Sequence, residues 1–471
     1  MAVDLAPSPD AAALAERTAA FVRDVVIAVE EEHRGVVTSA EVRAELQGAA
    51  RQAGVFAPHV SAEYGGQGLD MRDRAAVFEA AGYSLLGPLA LNIAAPDEGN
   101  MHLLEAVATK EQGERYLRPL AAGEVRSCFA MTEPAPGAGS DPAALATRAM
   151  RVAGGWRIDG RKWFITGADG AAFAICMART SGEPGEAGGA TMFLVDADNP
   201  GMKMVRHIDT LDESLYGGHI ELAFENCVVP ADAVLGEVDE GFRYAQVRLG
   251  PARMTHCMRW LGIARRAQDI AVARASQRRL FGSLLGELGM VQQMIADNEI
   301  DIAASRGLIL QACWELDQGR SASQSTAIAK TFCAEAIWRT VDRSVQICGS
   351  LGTSSLLFFS PREQVAPVIL RDVNVVLAGR CADPRPGSVP LLVGDPFHLV
   401  EPRNRIPHVR GIAEGLFAFG GEGELRVRQA VLSCGAQALR TARDVFSVST
   451  LALDLASLLD VASCRLFLLL R

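Results

Sequence analysis

Apolar residues recur at helical spacing from Ala12 to Glu32. Arg17, Arg23, Asp24 and Glu30 to Glu32 fall on the opposite side, so a first amphipathic helix is predicted there. A second helix is predicted from Glu41 to Ala53, stopping before Gly54. The stretch from Phe56 through Pro58 to Gly68 reads as a loop, and Met71 to Ala81 as a third helix. Two more are expected over Asn100 to Ala108 and Glu111 to Leu117.

From about residue 121 to 236 the period changes. Glycine becomes frequent, and apolar residues alternate over 172–178, 190–195 and 218–224, which predicts strands. Ser181 to Gly189 reads as a mobile polar loop. From 237 the helical period returns. A long helix runs through Pro251 to Arg274, followed by Gln292 to Glu315 and Ser325 to Cys348, lengths that suit an antiparallel bundle. Beyond Ser354 the pattern breaks. Eight of the 21 prolines fall between Pro361 and Pro407, so the bundle cannot continue there. The expected class is α+β. Its parts are a helical segment 1–120, a β segment 121–236, a helical bundle 237–354, and a poorly packed or extraneous tail 355–471 that is cut early by proteases.

Composition narrows the function. A net charge of −10 argues against general affinity for nucleic acid or anionic membranes. The ten cysteines include no Cys-x-x-Cys pair and sit in apolar runs, as buried reduced thiols of a cytoplasmic protein do. His207 and His219 have no carboxylate spacing that suggests a metal. The most apolar stretch, Leu451 to Leu470, is interrupted by Asp454, Asp460 and Arg465, so no membrane span is expected. The first ten residues contain no basic residue and resemble neither a signal nor a transit peptide.

Candidate chemistry centres on 129–167. Phe129 to Pro134 reads as a strand ending in a turn, because proline ends the ladder. The small-residue loop Gly137-Ala138-Gly139-Ser140-Asp141 follows and lets backbone N–H groups approach a ligand closely. A strand from Arg148 to Ile158, with Gly154-Gly155 as a turn, and a second from Lys162 to Thr166 complete the stretch. Met131, Thr132, Phe164 and Thr166 are then neighbours on a surface across which a flat aromatic cofactor could lie. A Gly-Ala-Gly-Ser run alone is a common surface loop; the combination with the matching strand is what points to a ligand.

These motifs, Thr132-Glu133-Pro134, Gly139-Ser140-Asp141 and Lys162-Trp163-Phe164-Ile165-Thr166, resemble those of the acyl-CoA dehydrogenase family. A Pro58…Glu63-Tyr64-Gly65-Gly66 loop fits its N-terminal helical part. Over about residues 10–352 the resemblance implies a helical domain, a middle β domain and a C-terminal helical bundle. It implies FAD as cofactor, with Phe129, Met131 and Thr132 on one flavin strand, Phe164 beside the ring and Thr166 near flavin N5. Arg278 and Phe281 match the family's Arg-x-x-Phe-Gly motif, whose arginine reaches the FAD pyrophosphate of a neighbouring subunit. Gln346 and Gly349 match the loop at the adenosine end, with Ser350 in place of a glycine. Ser140 and Arg253 match positions on the acyl-CoA side. An acyl-CoA substrate, an electron-transfer flavoprotein as acceptor, and a homodimer or homotetramer are implied. The run 251–259 is similar to the branch whose members are fused to kinase-like domains or stand alone in bacteria.

The resemblance also implies a catalytic carboxylate, from either of two places. One is the position before Arg253, which here is Ala252. The other is a Tyr-(Glu/Asp)-Gly motif; after the echo Leu370-Arg371-Asp372 the corresponding count reaches Ala378-Gly379-Arg380. Neither position has an acid, and the catalytic residue stays unassigned, with Asp372 and Asp383 the nearest acids. A shift of reading frame after about Ser354, or divergence, accounts for the loss of pattern. The expected activity is α,β-dehydrogenation of an acyl-CoA thioester, slow for want of a base and restored by Ala252→Glu. The alternatives are a non-catalytic FAD- or acyl-CoA-binding scaffold, or another flavin oxidation such as that of a nitroalkane.

Overall fold

The computed structural model describes residues 4–33, 39–139, 141–210 and 217–353. The tail from 354, with Asp372, Asp383 and 378–380, lies outside the described residues, as does Ser140. Ser8 opens the first helix: its hydroxyl accepts from Ala11 N, and Pro9 at the first helical position loses nothing by lacking an N–H. Helix α1 (Pro9–Phe21) passes through a π turn at Val22–Val26 into α2 (Ile27–Glu32), so the single helix predicted over 12–32 is one helical run with a wide turn inside. After α3 (Ala40–Gln52), α4 (Met71–Ala81) and the short α5 (Gly87–Ala90) comes α6 (Asp97–Val107). That helix starts before the Asn100 expected. Asp97 and Glu98 stand in its first turn, where acids suit the helix dipole. A capping box formed by Thr109 and Gln112 opens α7 (Lys110–Gln112), and a π turn (Gly113–Leu117) leads to α8 (Arg118–Ala121).

The middle segment holds β1 (Ser127–Ala130), β2 (Arg148–Val152), β3 (Gly155–Thr166), β4 (Phe173–Arg179), β5 (Ala190–Asp196), β6 (Met202–His207), β7 (His219–Pro230) and β8 (Val234–Leu235). They form one sheet in the order β6-β7-β3-β2-β4-β5-β8, and β1 pairs parallel with β4. Two expectations change. The strand expected over 148–158 turns back at Ala153-Gly154, and β3 runs unbroken to Thr166. β6 went unpredicted because its residues are nearly all exposed and leave no apolar alternation to read. β4 is buried on both faces: Phe173, Ile175 and Met177 pack toward the helices, and Ala174, Cys176 and Ala178 into the core on the other side. The loop 181–189, expected to be mobile, is wrapped around a buried guanidinium. Arg179 donates to the carbonyls of Ala143 (2.7 Å), Ser181 (3.2 Å) and Gly188 (3.2 Å).

Helix α9 (Gly241–Gln277) contains Pro251 and leads to the hairpin β9 (Arg279–Leu280) and β10 (Ser283–Leu284). Helices α10 (Gly289–Asp317) and α11 (Ser323–Cys348) follow. The N-terminal helices do not have a core of their own. Leu14, Phe21, Leu46 and Phe78 share one with Met254, Leu261, Ile309 and Val345 from α9, α10 and α11. Two glycines permit the closest approach. A Cβ on Gly82 would lie 2.0 Å from the Arg259 carbonyl oxygen, and one on Gly262 would lie 2.2 Å from that of Glu79. Asp317, at the end of α10, caps the first turn of α4 through Met71 N (2.8 Å) and Arg72 N (2.9 Å). Glu30 forms a buried ion pair with Arg266 (2.8 Å), tying α2 to α9. The seven described cysteines are buried thiols, and burial pushes Cys176 up to about 12 and Cys227 to about 11. Among the described residues no helix is long and apolar enough to cross a membrane, and no group of three His, Cys, Asp or Glu could hold a metal.

Candidate functional site

The Thr-Glu-Pro glutamate proves to be structural. Glu133 is buried and ion-paired to the equally buried Lys162 at 2.8 Å. Its carboxylate also accepts from the backbone N–H groups of Ala138 (3.0 Å), Ala146 (2.7 Å) and Thr147 (2.9 Å), tying down both ends of the glycine-rich loop. Burial works against the charge, but the Lys162 ammonium and these donors outweigh it and hold the carboxyl below its usual range. Gly137 must be glycine here, since a Cβ would meet Glu133 Oε2 at 2.3 Å.

Lys162 also donates to the Met131 carbonyl (3.0 Å), and Trp163 N–H donates to the Thr132 carbonyl (3.0 Å). These bonds fasten the segment after β1 to β3. The β3–β7 register then shifts between Lys162 and Ile165, and Phe164 takes φ +51°. Such a bulge re-aims side chains, and a left-handed aromatic residue costs about 1–2 kcal/mol that the flanking ladder must offset. Phe164 lies edge-on to Trp163 at 4.9 Å. Thr166 Oγ1 and His219 Nδ1 are 3.0 Å apart. Phe129, Met131, Thr132, Trp163, Phe164 and Thr166 are all half-buried, whereas Ala130, Glu133, Lys162 and Ile165 between them are buried. β1 and β3 thus share a partly open face of aromatic, thioether and hydroxyl groups over a fully buried ion pair.

Helices α6 and α9 stand beside this face. Asp97 accepts both the N–H (2.8 Å) and the hydroxyl (2.7 Å) of Ser127 at the start of β1, and burial raises its carboxyl above the usual range. The Arg248 guanidinium stacks on Phe129 at 4.2 Å and donates to Asn100 Oδ1 (2.8 Å). Arg253, half-buried, directly follows the buried Ala252, between one and two turns beyond Arg248 on α9. The sequence reading missed Glu98. It is 2% exposed in its side chain, accepts from Thr255 Oγ1 (2.8 Å), and lies 3.6 Å from an Arg259 nitrogen. The helix expected from the sequence began at Asn100, two residues after it, so Glu98 did not stand out as a first-turn acid.

Arg278, Phe281, Gln346 and Gly349 fall elsewhere. Arg278 caps the C-terminus of α9, and Phe281, with φ +55°, is 92% exposed at the β9–β10 turn. Gln346 and Gly349 are exposed at the end of α11. Packing of Ala275, Leu285, Val291 and Ile347 brings these two groups to one end of the helices. The 25 residues of α9 between Arg253 and Arg278 (278 − 253) span roughly 37 Å at helical rise, so this end is remote from the β1–β3 face of the same chain.

The family models described as acyl-CoA dehydrogenase N-terminal, middle and C-terminal domains match residues 8–124, 128–227 and 239–377. The last match reaches beyond residue 352. The probable acyl-CoA dehydrogenase FadE2 of Mycobacterium tuberculosis is 38% identical over 322 residues, covering 67% of this chain and 78% of that protein. Acyl-CoA dehydrogenase family member 11 of Homo sapiens is 36% identical over 308 residues; these are 64% of this chain but only 38% of the human protein. The solved structure of a putative acyl-CoA dehydrogenase from Mycobacterium abscessus superposes with a TM-score of 0.69 at 32% identity, over 80% of this chain and all of that one. Three consecutive domain matches, in the order the fold displays them, establish that this chain belongs to the acyl-CoA dehydrogenase family.

Proposed function

We propose that this chain binds FAD and carries out the α,β-dehydrogenation of an acyl-CoA thioester. The observation that carries the reading is the half-open β1–β3 face, fastened by Lys162 and re-aimed at Phe164, which suits a flat ring system. Backbone groups around Met131 and Thr132 hold its polar edge, Phe164 packs against it, and the Thr166 hydroxyl, oriented by His219, is a fixed dipole. When bound, FAD supplies the acceptor for the hydride lost from the acyl β-carbon. Arg253 and the loop containing Ser140 recognise the CoA side. Arg278, Phe281, Gln346 and Gly349 serve the FAD of a second copy of the chain, because they lie far from their own β1–β3 face; a guanidinium matches a pyrophosphate bidentately. A dimer or dimer of dimers follows, with an electron-transfer flavoprotein reoxidising the flavin.

A second reading, an FAD- and acyl-CoA-binding protein without turnover, is favoured by Ala252 and by 378–380, which supply no carboxylate. Anaerobic titration of the purified protein with a panel of acyl-CoAs separates the two. Bleaching of the flavin band supports dehydrogenation, and thioester binding without bleaching supports the second. A colourless protein that takes up no FAD refutes both.

A further inference from the structure

Dehydrogenation needs a carboxylate to take the acyl α-proton, and both places implied by family resemblance lack one. We propose that Glu98, on α6, is that carboxylate; the inference rests on the acyl-CoA dehydrogenation reading above.

Three geometric facts place Glu98 at the right junction. Its Oε2 accepts from Thr255 Oγ1 at 2.8 Å, and the same hydroxyl lies 3.1 Å from the carbonyl oxygen of Ala252. The carboxylate therefore stands against the very turn of α9 whose residue 252 is the empty base position. Asp97, its neighbour, holds Ser127 at the start of β1. Gly99, on the other side, packs against the Arg248 guanidinium, which covers the Phe129 ring. Glu98 thus lies between the flavin strand and the acyl-CoA side of α9, reached from a different helix.

The other buried acids near this face are already engaged. Asp97 holds two donors from Ser127, and Glu133 holds Lys162 and three backbone N–H groups. Glu221 is bound by Arg161 and Arg206. Glu98 differs: its Oε1 is buried with no hydrogen-bond partner among the described residues. A buried carboxylate oxygen without a donor is costly unless something else uses it. An Arg259 nitrogen lies 3.6 Å from Oε2, and the carboxylate stands in the first turn of α6, where an acid suits the helix dipole. In the step assigned to it, the acyl Cα–H bond breaks, the electron pair stays with the thioester as its enolate, and the proton forms an O–H bond to Glu98 Oε1.

The test isolates proton removal from redox chemistry. The full-length flavin-loaded protein is incubated in D2O with a 3-thiaacyl-CoA, whose sulfur at the β position bars hydride loss. Deuterium at the α-carbon is read by mass spectrometry. The wild type is expected to catalyse exchange, and Glu98→Gln to slow it by about 100-fold or more, the usual cost of losing a general base. Glu98→Asp keeps the charge facing Arg259 but withdraws the carboxylate, and should slow exchange about 10-fold or more. Bound flavin and thioester Kd should stay near wild type in both, which shows the fold intact; should Glu98→Gln fail to fold, the aspartate variant decides. Exchange at wild-type rate in the variants, or no exchange by wild-type protein with flavin and thioester bound, overturns the assignment of Glu98 alone. Failure to bind flavin or thioester overturns the dehydrogenase reading and this one with it.

Discussion

Lys162→Met is the perturbation whose cost can be worked most directly. Methionine fills the space of the lysine stem but removes the ammonium, which is fully buried and bonded to Glu133 Oε1 (2.8 Å) and to the Met131 carbonyl (3.0 Å). Glu133 must then remain charged without its cation or take up a proton. Protonation at pH 7 of a carboxyl with an ordinary value of 4.5 costs about 3 kcal/mol, at 1.36 kcal/mol per pH unit. That is a ceiling for this component, because Glu133 can retain its charge on the three backbone donors. The Met131 carbonyl, deprived of its donor, adds about 1–3 kcal/mol. A loss of about 3–5 kcal/mol is expected, in the range for breaking a buried pair from one side. Urea unfolding followed by far-ultraviolet circular dichroism measures it. The double variant Glu133→Gln/Lys162→Met should recover part of the loss, because no buried charge is left unpaired. Flavin content should fall in the single variant, since the segment after β1 loses its fastening to β3. A loss below about 1 kcal/mol, or a double variant no better than the single one, would refute the view that this ion pair builds the β1–β3 face.

Gly262→Ala should destabilise by about 1–3 kcal/mol, the usual cost of overpacking, because its Cβ would sit 2.2 Å from the Glu79 carbonyl oxygen; the urea midpoint reads this, and an unchanged midpoint would mean α4 and α9 separate freely. Acid should weaken the fold in two stages. Burial, then the nearby Arg74 and Arg259, hold His59 neutral well below its usual pKa, so its contribution is lost as pH falls below about 6.5, where only the unfolded chain gains the proton. The Glu133 contribution, present above the ordinary carboxylate range, is lost as pH falls through its lowered folded value, below about 4.5. His59→Phe should flatten the stability slope between pH 7 and about 5.5, and an unaltered slope would show that His59 does not titrate as argued. Arg278→Ala should lower flavin occupancy and the fraction of oligomer in sedimentation while leaving the secondary structure intact; full occupancy in the variant would separate this end of the chain from FAD binding.

The change of period near 121 and again near 237, from 3.6 to 2 and back, was enough to order the helical, β and helical segments, because amphipathic periodicity is a local property. The residues of the β1–β3 face were legible for a similar reason: Thr132-Glu133-Pro134 and Lys162 to Thr166 are contiguous motifs. Their work was not. That Glu133 is bound to Lys162 rather than to a ligand depends on a contact across 29 residues, and that Phe164 adopts φ +51° depends on the bulge between β3 and β7. β6 left no trace in the pattern because an exposed edge strand need not alternate. Tertiary structure alone merged the first and last helical segments into one core, since two amphipathic faces far apart in sequence must find each other to leave water. It also placed Glu98. In the sequence it is one of many acids; against Thr255, 157 residues away, it becomes a buried carboxylate beside the turn that carries Ala252. That residue 252 is an alanine could be read from the sequence, but which side chain from another helix reaches its turn of α9 was decided by packing.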